Sequence, residues 1–154
     1  LSMIMSQNDT NLIGTVHGGV VMKAVDEAAG TVAARFSGGP AVAAAMDEML
    51  FRAPVRVGDV LTVQAQVNGA GRSSMEVGAR VETTRWDQLG APVHVATAYL
   101  VMVAVDAGGS PRTIPELRVQ FEVDRRRYAE ATIRRRHRLS MRQEIGRLRE
   151  GGTD

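Results

Sequence analysis

The spacing of apolar residues changes along the chain, and each change marks an element. From Val20 to about Phe36 they recur at helical intervals, and Ser37-Gly38-Gly39-Pro40 then supplies glycines for a left-handed cap and a proline beyond it. After this stop the period falls to two. Ala41–Phe51 reads as a strand, punctuated by Ala53-Pro54 and Val57-Gly58-Asp59. Val60–Val67 alternates, with Leu61, Val63, Ala65 and Val67 on one face and Thr62, Gln64 and Gln66 on the other. Asn68-Gly69-Ala70-Gly71 has hairpin chemistry and predicts a turn. Met75–Thr83 returns with Met75, Val77, Ala79 and Val81 on its apolar face, and Val93–Val105 is nearly all apolar, as in the middle of a covered sheet. Leu1–Met5 is a short strand candidate followed by a polar turn. The expectation is an α+β chain: one strand, one long helix, then about four antiparallel strands whose apolar face the helix covers. Residues 1–117 form that domain. Residues 118–154 form an extension in which a basic helix runs from Val119 to about Arg149 and Gly151-Gly152 ends it.

Composition narrows the chemistry. At 154 residues the chain has the length of one domain, and with 4% aromatics its core must come from Ala, Val, Leu and Met. The absence of cysteine excludes disulfides, thiolate nucleophiles and cysteine zinc sites, and it suits a reducing, cytoplasmic setting. Three scattered histidines (His17, His94, His137) predict no metal site. No apolar run approaches the ~18 residues of a membrane span, and no basic start leads into an apolar segment, so neither a span nor a signal peptide is expected. Because the first residue is Leu1, a start residue is expected upstream. The strings for a hydrolase serine elbow, a Walker loop and a dinucleotide fold are all missing.

The net charge of +2 is uneven. Residues 1–117 carry 8 basic and 11 acidic side chains, and residues 118–154 carry 11 and 6. Arginine clusters 125–127 and 134–136 raise the question of nucleic acid, but no helix-turn-helix precedes them and Glu122, Asp124, Glu130 and Glu144 are interleaved. A solvated or subunit-bridging helix is expected instead.

Within the long helix, Lys23, Glu27, Thr31 and Arg35 form a polar stripe that Asp26 does not join. Asp26 projects beside Met22, Gly19, Gly30, Ala29 and Ala33, a notch of small residues into which a ligand or another backbone fits. Gly18-Gly19 stands at the helix start, where unpaired N–H groups and the helix dipole favour an anion or oxyanion. The same residues also suit an ordinary surface acid and a tight turn. Seven residues of helix span ~10 Å, too far for Asp26 and the Gly19 amide to serve one carbonyl on the same helix. A second copy's helix running antiparallel would join them, so a site shared between subunits is expected.

The stretch Asn8-Asp9-Thr10-Asn11 … His17-Gly18-Gly19 … Met22-Lys23 … Asp26-Glu27-Ala28-Ala29-Gly30 resembles the start of the hotdog-fold acyl-CoA thioesterases, in particular the cytosolic long-chain acyl-CoA hydrolases and their single-domain bacterial relatives. Similarity continues through Phe51–Asp59 and Gly71–Val77 and covers roughly residues 1–117. The resemblance implies an antiparallel sheet wrapped around one helix, dimers with a continuous sheet and usually trimers of dimers. It implies hydrolysis of acyl-CoA to fatty acid and CoA, with no cofactor beyond the CoA of the substrate. Asp26 takes the place of the nucleophile or water-activating base, Asn11 that of its polar partner across the subunit interface, and Gly18 and Gly19 that of the oxyanion donors. Arg72, Ser73 and Ser74 match the region touching the CoA nucleotide and phosphates. Relatives often carry Thr or Ser near Ala43 or Ala45, where this chain has Ala41-Val42-Ala43-Ala44-Ala45. His17 is expected to be structural, and Asp47 and Glu48 to be strand-edge charges. The alternatives are a hotdog enoyl-CoA hydratase or dehydratase, or a non-catalytic acyl-CoA-binding regulator.

Overall fold

In the computed structural model, which describes residues 1–151, strand β1 (Ser2–Ile4) and a 3-10 turn (Gln7–Asp9) lead to helix α1 (Gly18–Ser37). Strands β2 (Ala41–Phe51), β3 (Asp59–Ala70), β4 (Ser74–Arg85) and β5 (Val93–Ala104) follow, and then helix α2 (Glu122–Gly151). The strands form one antiparallel sheet in the order β1-β3-β4-β5-β2.

The alternation read from the sequence sets the faces. Leu61, Val63, Met75, Val77, Val81, Leu100 and Met102 are buried on the inner face against Val21, Ala24, Val25, Ala28, Ala29 and Ala33 of α1. Fully burying each Val, Leu or Met contributes about 1.5–3 kcal/mol, so this layer dominates the stability of the body. The alanines let the helix lie close to the sheet. Gly38 caps α1 at φ +71°, as the glycine pair predicted, and Arg112 adds bonds to the Ser37 carbonyl (2.7 Å) and hydroxyl (3.0 Å).

Three boundaries differ from the sequence expectation. α1 starts at Gly18 rather than Val20, because His17 caps it. The hairpin turns at Gly71–Ser73 rather than at 68–71. Asn68 sits at an irregularity in the β3–β4 register and donates from Nδ2 to Glu76 Oε1 (3.2 Å), which leaves Gly69 and Ala70 within the strand. The tail helix starts at Glu122 rather than Val119, and Gly152 of the expected glycine stop lies outside the described residues.

β2 is an edge strand whose free side meets no strand among the described residues, and Val42, Met46, Leu50 and Phe51 on it are exposed. α2 crosses the outer face of the sheet on polar anchors. Arg127 donates to Gln66 on β3 (2.8 Å). Arg134 makes a two-pronged pair with Glu76 on β4 (3.0 and 2.6 Å) while its guanidinium stacks 3.6 Å from the Tyr99 ring on β5, and Arg138 pairs with Asp47 on β2. Asp47, expected as an edge charge, is therefore a half-buried anchor. No described helix is long and apolar enough to cross a membrane.

Candidate active site

The segment before α1 is shaped by its own side chains. Asp9 Oδ2 accepts from the Ser6 amide and hydroxyl (both 2.7 Å), which holds the Asp9 carboxyl below its usual range. Asn11 Oδ1 accepts from the amides of Ile13 (3.0 Å) and Thr15 (3.2 Å), and its Nδ2 donates to the Thr15 hydroxyl (2.9 Å). Gly14, at φ +82°, completes this tight turn. Leu12 and Ile13 at its tip are exposed.

The start of α1 separates the two glycines. The His17 ring folds over the first turn, and its Nδ1 accepts from the Gly19 amide at 3.0 Å. A Cβ on Gly19 would stand 3.2 Å from that nitrogen, so glycine there makes room for the cap. The Gly18 amide has no acceptor among the described residues. Gly18 also lines a cavity of about 380 Å³ with Val16, Val21, Phe51, Arg52 and Pro54. The result is an open N–H at a helix N-terminus beside an apolar hollow, suited to polarising a carbonyl oxygen. Sequence reasoning missed Phe51 and the hollow. The only signal was a small residue at position 18, whose Cβ would touch the Phe51 ring at 3.5 Å.

Asp26 lies about two turns further along α1, exposed, with no hydrogen bond or ion pair among the described residues. Lys23 and Glu27 pair with each other at 3.8 Å and leave it alone. Met22, one turn earlier, is exposed, and a Cβ on Gly30, one turn later, would meet nothing within 4 Å. The notch expected from the sequence is present and unfilled within one chain.

Arg72 and Ser73 lie on the β3–β4 turn and Ser74 opens β4; the Gly71 amide bonds the Ser74 carbonyl (2.8 Å), and Arg72 and Ser73 carbonyls hold Ile114 and Ala104. This hairpin is at the far end of the sheet from Gly18. Ser74 pairs with Val103, which pairs with Val42, whereas Phe51 beside Gly18 pairs with Ala96. The seven positions of β5 from Val103 to Ala96 span about 23 Å. One protomer thus brings together Gly18 and the hollow, but neither the hairpin nor Asn11 bonds to Asp26. Among the described residues no group of three or more His, Asp or Glu could hold a metal ion.

A five-stranded antiparallel sheet closed over one long helix, with an open helix N-terminus and a lone carboxylate on the same helix, is the hotdog arrangement. Residues 13–85 match the model of the thioesterase superfamily. The chain is 30% identical over 140 residues to protein VdlD of Helicobacter pylori, covering 90% of this chain and 78% of that protein. It is 34% identical over 126 residues to acyl-coenzyme A thioesterase 11 of the mouse, covering 82% of this chain and 21% of that protein. It spans about a fifth to a third of the length of the mammalian relatives of this kind. Among solved structures, a hexameric acyl-CoA thioesterase aligns at TM-score 0.86 with 33% identity, covering 92% of this chain and 90% of that one. An acyl-CoA hydrolase of Staphylococcus aureus, solved in complex with butyryl coenzyme A and coenzyme A, aligns at TM-score 0.86 with 31% identity, covering 97% and 91%. Further structures of that enzyme carry alanine in place of an asparagine, of an aspartate fifteen positions later, or of a threonine seventeen positions beyond the aspartate. The chain belongs to the thioesterase superfamily, and its fold is the hotdog fold.

Proposed function

We propose that the protein hydrolyses acyl-CoA thioesters to a carboxylic acid and free CoA, in a site that two copies complete. The observation that carries this reading is the separation of parts. Gly18 stands at one end of the sheet, the Arg72–Ser74 hairpin at the other, and Asp26 exposed between them. Antiparallel pairing of two β2 edges extends the sheet and reverses its ends, so the hairpin of one copy comes to the same end as the Gly18 hollow of the other. The free edge and the exposed Val42, Met46 and Leu50 supply the surface for that pairing.

In this arrangement the Gly18 N–H polarises the thioester carbonyl, and the Asp26 carboxylate of the facing helix attacks it or removes a proton from water. The C–S bond breaks, water adds to the acyl carbon, and the CoA thiolate takes up a proton. Water is the only co-reactant, so no cofactor is needed. Asn11 already spends its carbonyl on its own turn, but its amide nitrogen keeps one N–H for the substrate or the water. The Gly19 amide becomes a second donor only where His17 Nδ1 releases it. Arg72, with the Ser73 and Ser74 hydroxyls, meets the phosphates of CoA.

Asn11 and Asp26 are fifteen positions apart, the spacing of the asparagine and aspartate replaced in the Staphylococcus aureus enzyme, and Ala43 stands seventeen past Asp26. The assembly is a homo-oligomer built from such dimers, a trimer of them if it matches its hexameric neighbours. An acyl-CoA substrate and a cysteine-free chain suit the cytoplasm.

Thiol release from a panel of acyl-CoAs tests the reading. Asp26→Asn lowers kcat by about 10²–10⁴ and, because the side chain is exposed, changes stability by no more than about 0.5 kcal/mol. An Asp26→Asn protein as fast as the parent overturns the assignment, and an active monomer overturns the shared site.

A further inference from the structure

The face of α2 that grips the sheet runs out of sheet before it runs out of helix. Its anchors fall on successive strands: Arg127 on β3, Arg134 on β4 and β5, Arg138 on β2. Eleven residues of helix cover about 16 Å, and the step from β3 to β2 is three strand spacings, about 14 Å. Ala131 still packs on Gly69 of β3, so the helix crosses the strands obliquely, and Arg138 reaches the free edge at Asp47 through its long side chain. The residues after it, through Glu150, add about 18 Å, enough to overlie three or four more strands. Among the described residues none of them bonds to the body; the one side-chain bond is Ser140 to Glu144 within the helix.

This overhang is not patterned as a solvated tail. Met141, Ile145 and Leu148 follow Arg134 and Arg138 at steps of three and four, so they sit on the anchoring side, and all three are exposed. Arg138, Arg142 and Arg149 run beside them. Beyond the β2 edge the outer face continues only if a second copy continues the sheet. That copy offers complementary chemistry, because the outward residues of β2 include Val42 and Leu50, both about half exposed, and Glu48, which has no ion pair among the described residues.

We propose that the overhang of α2 is a clasp on a second copy of this chain, laid across the outer face of the partner's sheet beyond the β2 junction. The inference rests on the β2 pairing of the proposed function and adds a contact on the opposite face of the sheet from the reaction. By two-fold symmetry each copy both clasps and is clasped, so the apolar stripe is buried twice per dimer.

The test uses the full chain. M141E/I145E/L148E keeps residues that favour a helix and places three carboxylates on the clasping stripe. It is expected to raise the dissociation constant of the assembly at least tenfold by analytical ultracentrifugation, with far-ultraviolet helicity unchanged. Because the chain has no cysteine, Ile145→Cys carries a single benzophenone maleimide. Photolysis is expected to give covalent dimers with the label on the outward residues of the partner's β2 or β5, and the same label at the solvent-facing Ile133→Cys to give none. An unchanged dissociation constant, or label only within the same chain, overturns the clasp. So does loss of binding to anionic phosphatidylglycerol vesicles with assembly intact, which would assign the stripe to a lipid surface. Thiol release measured on the same samples separates the two proposals: retained hydrolysis with unchanged assembly refutes the clasp alone, and no hydrolysis by the parent refutes the function.

Discussion

Removing the Arg134 guanidinium tests how α2 is held to the body. Among the described residues Ala131 is the one apolar side chain of α2 that is buried, and a methyl group contributes only about 1 kcal/mol. The attachment therefore rests on charge. Glu76 has 7% of its side chain exposed and Arg134 19%, they share two hydrogen bonds, and Asn68 satisfies Glu76 further. Breaking such a pair from one side strands the other charge, at a typical cost of about 3–5 kcal/mol. Arg134→Ala should sit at the low end, about 3 kcal/mol, because water can reach the vacated place. Since α2 can lift without unfolding the sheet, the cost appears as local opening. Amide exchange of residues 127–138 should quicken about 100-fold, with the β3–β4 amides unchanged. Glu76→Gln leaves one acceptor where Arg134 and Asn68 need two and strands the Arg134 charge, so it should loosen α2 in the same direction, by about 2–3 kcal/mol. A change of less than threefold in α2 exchange after Arg134→Ala would refute the claim that ion pairs dock the helix.

A methyl at position 78 would collide with the Asn68 amide, so Gly78→Ala should expel that side chain from Glu76 and lower stability by about 1–3 kcal/mol in urea titrations. Ala43→Thr supplies a hydroxyl on the inward side of β2, where it pairs with buried Met102; if a hydroxyl there orients the water, kcat should rise several-fold with KM little changed, and an unchanged kcat would sever Ala43 from the chemistry. Burial pushes the Asp47 carboxyl above its usual range, with Arg138 opposing, so the folded chain holds that proton more tightly than the unfolded one. Its contribution to stability therefore falls as pH rises from the ordinary carboxylate range through the raised value. Asp47→Asn, which keeps an acceptor for Arg138, should flatten that fall in thermal melts taken upward from the ordinary carboxylate range; an identical pH profile would refute it.

The strands and the buried face of α1 were legible because alternation and helical spacing are direct consequences of one-sided burial. Leu61, Val63, Val77 and Val81 fall where period two puts them. The hairpin was not, because Asn-Gly serves equally in a turn and at an irregularity of the ladder, and only the buried Glu76 partner of Asn68 selects the second. Asp26 stood out because it falls off the polar stripe of Lys23, Glu27, Thr31 and Arg35, a local property of helix spacing. The unequal states of the Gly18 and Gly19 amides, by contrast, depend on where the His17 ring turns, and the hollow depends on Phe51, thirty-three residues downstream. The anchors of α2 were hidden for the same reason. A basic run reads alike whether its arginines meet water or Gln66, Glu76 and Asp47.

Three independent features of the chain point across the same boundary. Among the described residues the β2 edge lacks a strand neighbour and Asp26 lacks a partner, and α2 continues past the last strand with its gripping side apolar. Two of them are unfavourable for an isolated protomer: open ladder groups invite stray pairing, and apolar side chains on an overhang gain nothing in water. The two-fold axis through β2 that we propose would resolve all three at once, extending the ladder, setting the α1 helices antiparallel and placing sheet beneath the overhang. The reversal of ends that the same axis imposes also carries the Arg72–Ser74 hairpin toward the Gly18 hollow. The order of dependence is therefore from assembly to chemistry: a change that opens the β2 junction should remove hydrolysis even with Asp26, Asn11 and Gly18 untouched, whereas loss of Asp26 should leave the assembly whole.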